Sequence, residues 1–230
     1  MPDQSLTLLI ITIFLGLSYA YGNGLNDAAN ALATIVATRV LTPTAAVIMG
    51  GTMNLLGALT GTAVAKTIGK GIIDPEFMTQ SAVVSAILAA VIWVLFATRF
   101  GFPVSVSHSL VAGVLGAGIA TAGLENINGA VMSKVLLALA FSPILGFTGA
   151  FLVMVMLSWA LRNWTLSTAN SVFGKLQILS AAMLSYAHGK NDAQNAVGII
   201  ALGWAVYYSA DVSVAPWMQA SSGLAMAIGV

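Results

Sequence analysis

The sequence holds 230 residues, of which 59% are hydrophobic and only 7% charged, and its mean hydropathy is +0.96. Ordinary soluble domains carry about 25% charged residues, so a water-soluble globule is excluded and an integral membrane protein is expected. A net charge of +1 offers no concentrated field for nucleic acid or an acidic partner, and the absence of cysteine excludes disulfides and thiolate metal sites.

Taken in chain order with a window of about 20 residues for a spanning helix, apolar runs fall at 5–22, 28–40, 44–65, 79–98, 103–122, 134–161, 171–187 and 193–209. The first follows the leader "MPDQ", which has no positive segment, and it continues straight into polar residues; this predicts a membrane segment rather than a signal peptide. Most runs are apolar all round, so lipid or other helices surround them. Gly57 with Gly61, and Ala112 with Gly116 and Ala120, have the small-residue spacing that lets helix backbones approach. The connections "RVLTP", "KTIGKGIIDPE", "GLENING" and "LRNWTLSTAN" are too short for a soluble domain, and their Lys and Arg are too evenly spread to fix an orientation.

Five of the seven acids lie in the tail or the connections, whereas Asp27 and Asp192 stand at the ends of apolar runs. An ionised carboxylate near the bilayer centre costs at least about 2.5 kcal/mol, so one that is retained there normally serves a pathway, relay or ligand. The two acids share their neighbours. Gly24–Ala31, "GLNDAANA", matches Gly189–Ala196, "GKNDAQNA", at six of eight positions with an offset of 165 residues, which an internal duplication explains. Duplications of this kind build transporters that hold substrate and ions where the halves meet. On a helix, Asn26, Asp27 and Asn30 share one face, as do Asn191, Asp192 and Asn195. Their hard oxygen ligands suit sodium, or a proton on the carboxylate, better than a soft metal. Gly22 and Gly24 in one copy and Gly189 in the other predict a break in each helix, which is tolerated at depth where it lines a cavity.

A third polar island, "GFPVSVSHSLVAGVLGAG", puts Pro103 in the first turn of a predicted helix, where free amides with Ser105, Ser107 and Ser109 could accept an oxyanion. The same serines could instead cap or pack that helix, and His108 alone reads as a packed or capping histidine rather than a metal ligand. A Ser-His-Asp hydrolase lacks its nucleophile elbow here and gives the duplicated Asn-Asp pairs no role, so no enzyme is expected.

The segments "GNGLNDAANALAT", "PVSVSHSLVAG" and "HGKNDAQNAVGII", in this order and spread over nearly the whole chain, resemble the signature segments of the inorganic phosphate transporter (PiT) family, which includes some sulfate permeases. The resemblance implies an all-α polytopic helical bundle with inverted repeats and broken or re-entrant helices, in the cell membrane. Residues 1–165 would form the first repeat with its connecting helix and 166–230 the beginning of an incomplete second. By match, Asn26, Asp27, Asn191 and Asp192 would be cation and substrate ligands, joined by Asn30 and Asn195 on their helix faces. Ser105, Ser107, His108 and Ser109 would belong to the anion-binding element. A second "PVS-x-SH" segment is expected after Asp192, yet the sequence ends in "QASSGLAMAIGV", which reads as a truncated chain; a homodimer is one arrangement that could supply the missing wall.

A dianionic phosphate about 5 Å from one carboxylate feels roughly 6 kcal/mol of repulsion at an effective dielectric near 20. Two carboxylates therefore demand cations, and the expected function is symport of phosphate with sodium or protons, without a further cofactor. A cation or proton channel, or a sulfate permease of the same family, is the alternative.

Overall fold

In a computed structural model of the chain, residues 5–230 are described; the leader and Asp3 lie outside them. Eight α-helices account for most of these residues: α1 (Leu6–Ala37), α2 (Pro43–Ala58), α3 (Ala63–Lys66, continued by a π-turn to Gly71), α4 (Gln80–Phe100), α5 (Val106–Ala122), α6 (Gly129–Ala160), α7 (Leu166–Tyr208) and α8 (Pro216–Gly229). No strand occurs among the described residues, only a single antiparallel bridge between Ile73 and Ile127. Helices α1, α4 and α6 are each long and apolar enough to cross a membrane, and α2 with α3 passes the same test as a pair bent by 59°.

Polar residues mark the starts of these helices. Thr42, Thr79, Ser105, Asn128 and Thr165 each accept a backbone N–H from the first turn of the following helix, relieving donors that no helical carbonyl reaches. Pro43 and Pro216 occupy first-turn positions, as their missing N–H favours.

The centre of the fold is made by α1, α2, α7 and α8. Helices α1 and α7 run antiparallel: Gly203 lies against Thr12, Gly16 against Ile200, and Asp27 near His188. The two motif copies therefore sit on antiparallel helices. Helices α2 and α8 close the group through backbone-to-backbone contacts. Gly57 rests on Tyr186 and Lys190, Gly189 on the backbone of Asn54, and Gly24 on Met226 and Gly229, so tightly that a Cβ at any of these glycines would collide with main-chain atoms. Helices α4 and α5 pack on the other side of α1, burying Ile87, Val94, Leu110 and Val114. Helix α6 buries none of its 32 residues, consistent with an apolar surface turned to lipid or to further helices.

The breaks predicted at Gly22, Gly24 and Gly189 are absent. Helix α1 is continuous for 32 residues and α7 for 43, which merges the apolar runs 5–22 with 28–40 and 171–187 with 193–209. Gly24 and Gly189 serve close packing instead, while Gly22 meets nothing within 4 Å. The break lies in the run 44–65, read from the sequence as a single span. There Leu59–Thr62 interrupts the helix, with Gly61 at φ +98°, a conformation that side chains rarely tolerate.

Backbone freed inside a membrane needs partners, and two glutamines supply them. Gln194 Oε1 accepts from Val64 N (3.0 Å) and Ala65 N (3.4 Å), and its Nε2 donates to Thr60 O (3.4 Å). Gln219 Nε2 donates to Gly61 O at 2.9 Å. This accounts for one of the two differences between the motif copies. Gln194 stands where the first copy has Ala29, and it is α7 that packs against α3 after the break.

Replacing Gln194 by Leu should lower thermal stability in detergent by an amount equivalent to about 1–3 kcal/mol, the cost of orphaned buried groups. Gly22→Ala, in open space on a helix, should leave the melting temperature unchanged or slightly higher.

Candidate functional site

Antiparallel packing of α1 on α7 brings the duplicated acids together. One carboxylate oxygen from each of Asp27 and Asp192 and Nε2 of His188 all lie within 4.8 Å of one another. His188 Nε2 is 3.4 Å from Asp192 Oδ2 and 4.0 Å from Asp27 Oδ2. At an effective dielectric near 20, two ionised carboxylates at that spacing repel by about 3 kcal/mol. Their cavity, of about 290 Å³, is lined by Asp27, Asn30, Ala31, Leu184, Ala187, His188, Asn191 and Asp192, with no Lys or Arg among them. At about 30 Å³ per water, the space exceeds what one hydrated ion needs.

Each acid is held by polar neighbours. Asp27 Oδ1 accepts from Asn26 Nδ2 (3.4 Å) and Asn30 Nδ2 (3.3 Å), and Asn26 Oδ1 in turn accepts from the Thr98 hydroxyl at 3.2 Å. Asp192 Oδ1 accepts from Ser107 Oγ at 3.4 Å, and that hydroxyl accepts from Asn195 Nδ2 at 2.7 Å. Tyr19, eight residues or about two turns before Asp27 on α1 and buried, donates its hydroxyl to Val106 O (2.7 Å) and so pins the start of α5 beside the acids. The equivalent motif residues thus do different work: Asn30 bonds its own acid, whereas Asn195 is buried and reaches α5. Asn191 lines the cavity from an exposed position.

The serine-rich island divides. Pro103 precedes the cap rather than entering the first turn, and Ser105 is the cap, taking His108 N at 3.3 Å. One amide of the predicted anion cradle is therefore occupied by its own helix. Ser109 donates to Ser105 O at 2.9 Å. Ser105, His108 and Ser109 face a separate cavity against Trp93 of α4, because positions three and four apart share one helix face. Of the four residues, only Ser107 contacts the acid pair.

His188 and Asn54 did not emerge from the sequence as site residues. His188 Nδ1 bonds Asn54 Oδ1 at 2.8 Å, and Asn54 Nδ2 donates to Gly50 O at 2.9 Å. A histidine four residues before Asp192, on the same helix face, was the available signal; nothing local distinguished Asn54. A larger cavity of about 560 Å³ lies near Asp74, Glu76 and Asp211, but these acids come from connecting segments, with no positive side chain on the lining to balance them.

The sequence pattern of the phosphate transporter family matches residues 23–230. The chain is 38% identical over 231 residues to a "probable low-affinity inorganic phosphate transporter" of Bacillus subtilis, covering 99% of this chain and 69% of that one. It is 39% identical over 225 residues to a protein of the same description from Rhizobium meliloti, covering 96% and 67%. Against a Mycobacterium bovis relative of that description it covers 55% of the relative's length, at 37% identity. A solved structure described as the sodium-dependent phosphate transporter superposes with a TM-score of 0.88 at 25% identity, covering 97% of this chain and 75% of that one.

Ser107→Ala removes both the donor to Asp192 and the acceptor of Asn195, and should cost about 1–3 kcal/mol in detergent thermal unfolding. Ser109→Ala, which loses only a bond to its own helix, should stay within about 0.5 kcal/mol of the unsubstituted protein.

Proposed function

Because this chain belongs to the phosphate transporter family, whose members named above are transporters rather than enzymes, we propose that it carries inorganic phosphate across the cell membrane together with a cation bound at Asp27 and Asp192. The observation that carries this reading is the convergence of two carboxylates and an imidazole nitrogen within 4.8 Å, on a cavity whose lining holds no Lys or Arg. Such a site repels phosphate until positive charge enters it. An ion that bridges the acids turns the same place into a seat for an anion, so cargo and ion must be loaded together.

Sodium is the proposed coupling ion. Oxygen donors dominate the cavity, as a hard cation requires, and the solved relative is described as sodium-dependent. Phosphate would bind on the ion's far side, with Ser107 next to Asp192 as a hydroxyl partner. The two motif copies, on antiparallel helices, are the elements we assign to inverted halves: 1–165 with its connecting helix, and the second from 166. Rocking of one half against the other would move the loaded site from one face of the membrane to the other. The bent α2–α3 pair, whose break adjoins α7 through Gln194, is suited to take part in that motion.

Uptake of labelled phosphate into proteoliposomes tests the reading directly. It should saturate with phosphate and rise with an inward sodium gradient, whereas current without any need for phosphate would mean a channel, and competition by sulfate as strong as by phosphate would mean a sulfate permease. Asp27→Asn and Asp192→Asn should each reduce uptake at least about tenfold, since each neutralisation removes a charge from the ion site, a loss of roughly 1.4 kcal/mol or more. Unchanged uptake in both variants, at equal expression, would overturn the assignment.

A further inference from the structure

The duplication relates pairs of residues across the helix interface as well as single positions. Gly203 lies against Thr12; fifteen residues further along α1, and fifteen back along α7, Asp27 meets His188. The two helices therefore keep one antiparallel register over this stretch, and one turn before Asp27 that register sets Asn23 across from Asp192. The offset of 165 carries Asn23 onto His188 and Asp27 onto Asp192. The Asp27–His188 approach and the Asn23–Asp192 juxtaposition are thus two copies of a single pseudo-twofold arrangement. In each copy the residue four before the acid shares its helix face.

Asn23 is 0% exposed, and neither its Oδ1 nor its Nδ2 has a hydrogen-bond partner. Buried carboxamides are normally bonded, and each of the others here has at least one bond. Asn54 bonds Gly50 and His188, Gln80 accepts from Ser5 N while its Nε2 is unbonded, Gln194 holds the α2–α3 break, and Asn195 bonds Ser107; in Asn23 alone of these both amide atoms are unbonded. His188, the repeat mate of Asn23, likewise buries Nε2 without a hydrogen bond. Because Asn54 donates through Nδ2 to Gly50 O, its Oδ1 accepts from His188 Nδ1, which leaves Nε2 turned towards the acids, 3.4 Å from Asp192 Oδ2. His188 thus turns Nε2 to the acids, and the register puts the buried, unbonded carboxamide of Asn23 at the repeat-related position.

The asparagines of the motif are differently committed. Asn26 and Asn30 turn their amide hydrogens, not their oxygens, to Asp27, and the oxygen of Asn26 is taken by Thr98. They orient the acid.

We propose that Asn23 is a ligand of the coupling cation, its Oδ1 joining the Asp27 and Asp192 carboxylates around an alkali ion of sodium's class, in the place the motif would assign to Asn26 and Asn30. The proposal rests on the reading of the acid pair as a cation site. An unpartnered carboxamide carries a desolvation cost that a bound ion removes, and an oxygen donor suits a hard monovalent cation.

The test is sodium binding by the purified full chain, followed as the rise in melting temperature in sodium chloride against choline chloride at constant ionic strength. Asn23→Leu, similar in size and apolar, should raise the half-saturating sodium concentration at least tenfold while leaving the melting temperature in choline unchanged or higher, because an orphaned amide has gone. Asn23→Asp, which keeps an oxygen in place, should retain sodium binding within about threefold of the unsubstituted chain. Should the Leu variant not accumulate, Asn23→Ala gives the same comparison. An unaltered sodium response in Asn23→Leu or Asn23→Ala overturns the proposal, as does the absence of any sodium response in the unsubstituted chain. Phosphate uptake, measured separately, distinguishes the two readings: a sodium response that depends on Asn23, without uptake, defeats the transport reading and leaves the ligand assignment standing.

Discussion

Two like charges held within 4.8 Å of each other in an apolar bundle are the constraint around which this protein is organised. The repulsion between them, about 3 kcal/mol at an effective dielectric near 20, cannot be relieved by a Lys or Arg on the cavity, because none lines it. What the fold supplies instead is orientation. Asn26 and Asn30 hold one oxygen of Asp27, Ser107 holds one oxygen of Asp192, and the remaining oxygens converge with His188. In the proposed mechanism an external cation would balance these charges and so couple its own binding to that of an anion.

Backbone proximity makes this convergence geometrically accessible. Glycines at the α1–α8 and α2–α7 crossings let main chains touch, and Gly16 and Gly203 admit the Ile200 and Thr12 side chains at α1–α7, so short side chains such as Asp and Asn reach across the interface without help from longer ones. The same closeness leaves little slack. Gln194 and Gln219 bond to the backbone around the α2–α3 break, and Asn54 of α2 bonds His188, so the bent helix pair and the acid site share a mechanical connection through α7. A membrane interior penalises unbonded backbone, which explains why α7 keeps a buried glutamine at 194.

The division of the serine island follows from helical geometry. Residues 105, 108 and 109 project to the α4 side and Ser107 to the α7 side, since 100° per residue separates neighbours that look alike in a string of letters. The motif glycines illustrate the converse. Their backbone freedom suggested breaks, yet Gly24 and Gly189 are used for their missing side chains, while the bend depends on Gly61, whose flanking threonines gave no comparable signal. His188 and Asn23 were not assigned to the site because each falls just before the repeated octet and the two differ in identity; the offset of 165 relates them, but only packing brings His188 to Asp27.

Sequence alone determined the solvent and the chemistry. Composition required a bilayer, because apolar surface on this scale has no other stable environment, and the repeat named the paired acids and asparagines, because ionisable groups are too costly in lipid to recur by accident. Tertiary structure decided which of those groups meet, where the helix breaks, and which hydroxyl faces the acids. These depend on crossing helices more than 80 residues apart in the chain, such as Ser107 with Asp192 and Asn54 with His188, and no local pattern records a distance between segments that only packing brings together.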